Sequence, residues 1–344
     1  MTIKEIAELA GVSIGTIDRV LYHRGRVSAQ TKEKVLQIIE RYQFTPNPIA
    51  KRLQRNKSYK FCTLIPHATQ DAGYWGQVLG GITDCAQSLK PLGVDAPVIE
   101  YDRYSQDSFK NAIESALTSQ PDGILLSPVM PEITKPFLQI LEEKKIPYVF
   151  FDAEIPGASP LSVIGNDSFK GGYLAGRLMH LFTASEAGGK AILPFAVLNA
   201  YNEDYHLRGR RDGFVRYADE HNLSAVKMSY TSEDGINISQ KNLTHFLNEA
   251  PHISGLFVTN SMAHQVVSAF PQHDFFIIGY DLVPDNHRQL VSGNIDAIIS
   301  QHPHEQGNQA LLTLYHHLVL EQSVPPRQTM ALDICLKENI PHCP

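Results

Sequence analysis

The sequence predicts a small all-α head followed by an α/β body of two doubly wound parallel-sheet lobes. Three observations carry the prediction. Residues 1–60 hold 12 Lys and Arg against five Asp and Glu, whereas the rest of the chain holds 18 against 31. A short basic head therefore precedes a long acidic body, and the asymmetry points to a polyanion as partner of the head. Within the head, apolar residues recur at helical spacing. From Phe61 onward, short apolar runs alternate with amphipathic stretches, the pattern of parallel strands joined by right-handed helical crossovers. The chain has 344 residues, 43% of them hydrophobic and 19% charged. That length exceeds one ordinary core, and the composition is globular.

Ile3, Ile6, Ala7 and Ala10 share one face of a first short helix. Gly11 permits a sharp turn. Ser13 caps a second helix whose inner face is Ile17, Val20 and Leu21, and Ser28 caps a third, with Val35, Leu36, Ile39 and Tyr42 predicted to face inward. The arrangement is a helix-turn-helix with a supporting helix. In such a unit the second helix packs on one side and offers the other to the major groove of DNA. Ser13, Ile14, Gly15 and Arg19 fall on or near its outward N-terminal part. Arg19 is long enough for guanine O6 and N7, and Ile14 suits a thymine methyl.

The stretch TPNPIAKRLQRNKS follows, Thr45 to Ser58. Asn47 is a good N-cap and Pro48 suits the first helical position. A helix of about two turns is not stable alone in water, so it forms when something orders it. Lys51, Arg52 and Arg55 suit phosphates, and Leu53 suits an apolar wedge between base steps of the minor groove. A plain linker is the alternative.

The run T-I-K-E-I-A-E-L-A-G-V-S-x-x-T-I-x-R-V-L, then V-S-x-x-T-K-E-K-V, then F-T-P-N-P-I-A-K-R-L resembles the DNA-binding head of the lactose/galactose repressor family of bacterial transcription regulators. The resemblance spans residues 2–58. It implies DNA contacts from Thr2, Ser13, Ile14, Gly15, Thr16, Arg19, Arg26 and Ser28, with Asn47, Ala50 and Leu53 in a hinge helix. The sequence departs from the family at Asp18, where Ser is usual, at Tyr22, where Asn is usual, and at Gly15, which replaces a side chain that often reads a base. The implied operator is two-fold symmetric and the implied domains are 1–46 (helix-turn-helix), 47–59 (hinge and linker) and 60–344 (effector-binding and dimerisation body).

In the body, strands are predicted at 61–66, 96–101, 123–128, 147–152, 191–198, 255–259, 275–281 and 296–300. Helical patterns fall at 74–90, 105–119, 132–144, 167–182, 206–221, 236–249 and 304–321, with a break between two similar lobes near residues 155–165. Ligands of such sheets bind outside the carboxyl ends of the strands. The residues there are Tyr74 and Trp75 after the first strand, then Asp152, Arg208 and Arg210, Asn260, Asp281 and Gln301. Rings pack on the C–H face of a sugar, and Asp, Asn, Gln and Arg pair with its hydroxyls once water is excluded.

The motifs Y-W-x-x-x-x-x-G at 74–81, I-P-Y-V-F-F-D at 146–152, R-x-R-x-x-G-F at 208–214, V-T-N-S-M-A at 258–263, G-Y-D at 279–281 and S-Q-H-P at 300–303 are similar to sugar-binding periplasmic proteins and their repressor relatives. This resemblance implies a periplasmic-binding-protein type I fold and ligand contacts from Tyr74, Trp75, Asp152, Arg208, Asn260, Asp281 and Gln301. Ala153 stands where ribose-type binders carry Arg after the matching Asp, which removes one clamp on the sugar ring.

Other classes find less support. The chain has no G-x-G-x-x-G, G-x-x-x-x-G-K-S/T or G-x-S-x-G. An enzyme would need a base and a nucleophile that the motifs do not supply, and a transport module would need a signal peptide where the basic head stands. His302, His304, His316 and His317 lack a matching set of Cys or carboxylate ligands, so no metal and no cofactor is expected. Cys62, Cys85, Cys335 and Cys343 show no paired spacing and are expected as reduced thiols. No apolar run is long enough for a bilayer, so no membrane partner is expected. The expectation is a cytoplasmic, dimeric, sugar-responsive DNA-binding regulator; a sugar-binding module without a DNA role is the alternative.

Overall fold

A computed structural model describes residues 3–21, 25–42, 58–187, 192–199, 204–229 and 252–340. The chain divides into two compact units, residues 1–57 and 58–344.

The first unit contains α1 (Ile3–Ala10), α2 (Ile14–Leu21) and α3 (Ala29–Arg41). Its core is Ile6, Ala7, Ala10, Ile17, Val20 and Val35. Gly11 turns the chain between α1 and α2 at φ +65°, a conformation a side chain would strain. Ser13 and Ser28 cap α2 and α3: each hydroxyl accepts a backbone N–H three residues on, from Thr16 and Thr31, at 3.2 Å. Leu36 and Tyr42 do not face inward as the sequence predicts; both are exposed, and Ile38 packs instead. Leu36 is one residue past Val35 and thus about 100° around the helix, whereas Ile38 and Ile39 return to the buried face. Thr2 and the predicted hinge with Asn47, Ala50 and Leu53 lie outside the described residues, as do the helix predicted at 236–249 and Cys343.

The second unit is two lobes with one topology. Lobe one holds β1 (Tyr59–Pro66), α4 (Tyr74–Leu89), β2 (Val94–Asp95), β3 (Val98–Tyr101), α5 (Gln106–Thr118), β4 (Gly123–Leu126), α6 (Pro131–Glu143), β5 (Tyr148–Phe151) and β6 (Ser162–Gly165). Lobe two holds α7 (Ser168–Ala187), β7 (Phe195–Asn199), α8 (Tyr205–Glu220), β8 (Ala225–Ser229), β9 (Gly255–Val258), α9 (Ala263–Ala269), β10 (Phe276–Tyr280), α10 (Pro284–Val291) and β11 (Ala297–Ser300). Then α11 (Pro303–Leu314) packs back on lobe one, β12 (Arg327–Thr329) pairs with β6, and β13 (Asp333–Cys335) pairs with β11. The sheets run β12-β6-β5-β4-β1-β2, with β3 also on β1, and β13-β11-β10-β9-β7-β8; every pairing is parallel except β11 with β13.

The chain therefore crosses between lobes three times, at residues 166–167, 301–302 and 330–332. The lobes are not successive halves of the chain, and the break expected near 155–165 is replaced by β6 and a crossing just after it. In lobe two the strands alternate faces: Phe195 and Val197 pack with Phe214 and Met179 under α7 and α8, while Ala196 and Leu198 pack with Val266 and Leu290 under α9 and α10. Cys62, Cys85 and Cys335 are buried free thiols, each pushed up to about 11 by burial.

Two helix crossings set the lobe geometry. A Cβ on Gly81 of α4 would lie 1.8 Å from the His304 carbonyl oxygen, and one on Gly307 of α11 would lie 2.2 Å from that of Val78. In lobe two, Gly213 of α8 faces the Phe169 carbonyl at 1.9 Å and Gly172 of α7 faces that of Arg210 at 1.7 Å. Only glycine allows backbones this close, so α11 on α4 and α7 on α8 are the same joint made twice.

Candidate functional site

In the head, α2 buries Ile17 and Val20 and leaves Ser13, Ile14, Gly15 and Arg19 exposed, with Ile14 at 49%. Thr16 is half-buried, and Arg26 and Ser28 are exposed in the turn before α3 and at its cap. Ile14 thus stands exposed at the N-terminal end of α2, with Arg19 exposed five residues further along the helix.

In the body, the strand ends of the two lobes face each other. Asp152 follows β5 and Asp281 follows β10, the fourth large strand of each lobe. Both adopt left-handed backbone, φ 65° and 61°. Both anchor that turn on the next strand: Asp152 N–H donates to Ile164 O on β6 at 3.0 Å, shared with Gln306 Oε1 at 3.0 Å, and Asp281 N–H donates to Ile299 O on β11 at 2.8 Å. Aspartate tolerates this region better than most side chains, and both residues line the cleft.

A network joins them. Tyr74 OH donates to Asp152 Oδ1 at 2.6 Å, and Trp75 Nε1 donates to Asp71 Oδ2 at 2.7 Å. Arg210 reaches from α8 to donate to Thr259 O at 2.8 Å and to Gln301 Oε1 at 3.1 Å, with its guanidinium 3.6 Å from the centre of the Tyr280 ring. Gln301 donates to Asp281 Oδ2 at 3.2 Å. Asn286 holds the floor of lobe two, donating to the carbonyls of Ser261, Tyr280 and Asp281.

Three bonds close the lobes on each other. Arg103 binds Asp71 in its own lobe and Asp204, at 2.7 Å, in the other. Ser261 Oγ donates to Asp71 O at 2.8 Å, and Gln77 Nε2 donates to Leu282 O at 3.1 Å. The space left between Trp75, Arg103, Asp152, Arg210, Asn260 and Asp281 is about 20 Å³, room for one water. Burial raises the pKa of Asp152, against the pull of Arg210 and Tyr74. It pushes Asp204 up to about 6 against Arg103, and Asp281 up to about 7 against Arg210. For Arg210, burial disfavours the charge but Tyr280, Asp281 and Asp152 outweigh it, and its pKa lies above the ordinary value. Two polar atoms of the cleft lining are buried without a hydrogen-bond partner, Asp281 Oδ1 and Arg210 Nε; the Tyr280 hydroxyl, likewise unpartnered, packs against Gly171 of α7. An acceptor and a donor are thus left in the cleft for something else to satisfy.

The structure brings Tyr74, Trp75, Asp152, Asn260, Asp281 and Gln301 into one lining. Arg208 is not there; its guanidinium lies 4.6 Å over the Tyr205 ring, and Arg210 takes the place in the cleft. The two are two residues apart on one helix, about 200° around it, so only one can face the cleft. The sequence reading missed Asp71, Arg103, Asp204, His206 and Ser261. Arg103 was findable: it follows the strand ending at Tyr101 and obeys the same strand-end rule as Asp152. His302 and His304 pair with Asp333 at 3.1 Å and Asp84 at 2.9 Å. Among the described residues no group of three or more His, Cys, Asp or Glu is placed to hold a metal, and no helix is long and apolar enough to cross a membrane.

A helix-turn-helix head joined to a two-lobed body with polar groups waiting in its cleft defines a ligand-responsive DNA-binding regulator. Residues 2–47 match the family model for bacterial regulatory proteins of the lacI family, and residues 62–322 match that of the periplasmic binding protein domain. The chain belongs to the LacI/GalR family of regulators, and its body to the periplasmic binding protein domain family. It is 28% identical over 294 residues, 81% of each chain, to the HTH-type transcriptional repressor PurR of Haemophilus influenzae. Among solved structures it is similar to a putative LacI transcriptional regulator from Bacteroides fragilis, with 28% identity, TM-score 0.75 and coverage of 82% of this chain and 98% of that one. Its fold is also that of GanP, a glucose-galactose binding protein from Geobacillus stearothermophilus, at 22% identity and TM-score 0.72 over 83% of this chain and 100% of that one.

Proposed function

We propose that two copies of this chain bind a palindromic operator through the α2 face and a hinge spanning 47–59, and that a sugar or sugar-like effector in the interlobe cleft changes operator affinity. The protein acts as a non-enzymatic repressor in the cytoplasm, where its DNA is. The observation that carries the reading is the pair Asp281 Oδ1 and Arg210 Nε, buried and unpartnered in the lining that also holds Tyr74 and Trp75. Ring faces beside unmet donors and acceptors suit a polyol, whose hydroxyls supply both. GanP, named for glucose and galactose, shares this fold and supports the class of ligand. In the head, Ser13, Ile14, Gly15, Thr16, Arg19, Arg26 and Ser28 contact DNA, with Thr2, Asn47, Ala50 and Leu53 added from the resemblance of their segments. An effector that binds one arrangement of the lobes better than the other shifts the population between them, and couplings of this kind are typically about 1–3 kcal/mol.

The test is selection of a bound inverted repeat from random-sequence DNA, followed by anisotropy titrations of the full chain with and without sugars. Arg19→Ala is expected to cost roughly 1–3 kcal/mol on the selected site and little on scrambled DNA. Equal losses on both would remove α2 as the reading helix. A selected site without two-fold symmetry would remove the dimer.

A further inference from the structure

A second cavity, of about 630 Å³, opens beside the nearly filled cleft. That volume lies within the usual range for small-molecule sites, whereas the central space holds one water. Lobe one supplies Glu154 and Thr329 to its walls, and lobe two supplies Phe169 and Tyr205. The crossing segments add Asn166 and Met330, so an occupant would touch the strands about which the lobes turn.

The two spaces share Asp152 and His206 in their linings. Between them, His206 Nε2 stands 4.0 Å from Asp152 Oδ2, beyond hydrogen-bond range. Burial first, then Arg210 and Arg103, hold the His206 imidazole well below its ordinary pKa, so it is neutral and makes no ion pair there. The partition is a contact that a ligand can part at little electrostatic cost.

The walls also limit the chemistry. Glu154 pairs with Arg327, Asp167 pairs with Lys170 at 3.5 Å, and Asp152 accepts the Tyr74 hydroxyl, so the lining leaves no cation in excess for an anionic ligand. The Phe169 ring, 44% exposed, and Tyr205 offer apolar faces beside those polar groups. Matched charge, ring faces and hydrogen-bonding edges suit a neutral sugar ring.

We propose that the effector is a disaccharide-sized glycoside, with one ring between Tyr74, Trp75 and Asp281 in an arrangement whose lobes stand further apart than here, and the second in the cavity bounded by Asp152, Phe169, Tyr205 and Thr329. This rests on the sugar-effector reading above. The test is calorimetric titration of the full chain with glucose, maltose and cellobiose, and with galactose, lactose and melibiose. At least one disaccharide is expected to bind roughly tenfold or more tightly than its hexose. Thr329→Trp, which fills the second cavity from an exposed strand position, is expected to remove that gain. Phe169→Ala is expected to reduce it, and the unliganded melting temperature of each variant reports whether it has folded. Hexoses that bind as tightly as every disaccharide would overturn the second ring while leaving the sugar reading intact. A gain that survives both substitutions would overturn it too. Failure of every sugar to bind would overturn the sugar reading itself, and this proposal with it.

Discussion

The two lobes of the body carry the same joint, yet at one matched position they differ in kind. Val78 precedes Gly81 by three residues on α4, as Arg210 precedes Gly213 on α8, and each offers its carbonyl to the glycine of the crossing helix. Val78 is core. Arg210 is a guanidinium buried to 2% exposure, stacked on Tyr280. The matched aspartates differ as well: Asp152 Oδ1 accepts the Tyr74 hydroxyl, whereas Asp281 Oδ1 accepts nothing. The crossing residues Asn166 and Gln301 occupy equivalent places after β6 and β11, and the Asn166 amide donates to Gln301 across the near-symmetric axis. Among the groups lining the cleft, the charges of lobe one (Asp71, Arg103 and Asp152) are paired, whereas lobe two carries Arg210 and Asp281 with polar atoms left unmet. Shared topology fixes where the site lies; the departures from symmetry decide which lobe holds the ligand.

The largest expected effect tests that asymmetry directly. Arg210→Met leaves Asp281 and Asp152 buried with their main cation gone. Breaking a buried ionic cluster on one side typically costs about 3–5 kcal/mol, and urea denaturation near neutral pH is expected to show a loss in that range. Effector binding is expected to vanish in calorimetry. Val78→Ala, at the matched place, is expected to cost less and to leave binding near the wild-type level. Comparable binding losses in the two variants would mean that packing of the joint, and not the guanidinium, makes the site.

The joint itself comes next. Gly172→Ala sets a Cβ 1.7 Å from the Arg210 carbonyl and Gly307→Ala sets one 2.2 Å from that of Val78, both against backbone that cannot simply rotate away. Each is expected to lower stability by about 2–3 kcal/mol in thermal melts, the upper range for overpacking. Gly172→Ala should also weaken effector binding, because the displaced strip of α8 carries Arg210. Gly307→Ala should weaken it less, since Val78 is outside the cleft lining and α11 reaches the site only through Gln306, which bonds Asp152 N–H and Gln301 O. Equal weakening would show that lobe closure depends on both joints alike.

Much of this difference is legible in the sequence. Asp152, Asn260, Asp281 and Gln301 each end an apolar run, and a strand end in a parallel sheet is a place with known geometry. The helical pair Arg208 and Arg210 was not resolved, because periodicity ranks faces only when the helix start is known to a residue. β6 is four residues between Pro160 and Asn166 and reads as a loop, so the first crossing was placed too early. β12 and β13 are three residues each and largely exposed, with no apolar run to announce them. They pair only because distant strands offer an edge. The near-symmetry of Asn166 and Gln301 depends on those crossings and was therefore invisible too.

The smallest expected effect separates the two aspartates by pH. Burial, against Arg210, pushes Asp281 up to about 7, above the ordinary unfolded value of about 3.9. Below that unfolded value both states are protonated. As pH rises, the unfolded chain ionises while native Asp281 keeps its proton, so this group's contribution falls through the window from about 4 to 7 and then levels. Asn at this position cannot titrate. The stability of wild type relative to Asp281→Asn is therefore expected to drop by no more than about 2–3 kcal/mol between pH 5 and pH 8 in urea denaturation. The pKa of Asp152 is raised in the same direction by burial, but Arg210 and the Tyr74 hydroxyl favour its ionised form. Asp152→Asn is expected to show the same sign with a shallower slope. A steeper slope at Asp152 would mean that lobe one, with its carboxylate already bonded, carries the more strained charge, and the division between a satisfied lobe and an unsatisfied one would be reversed.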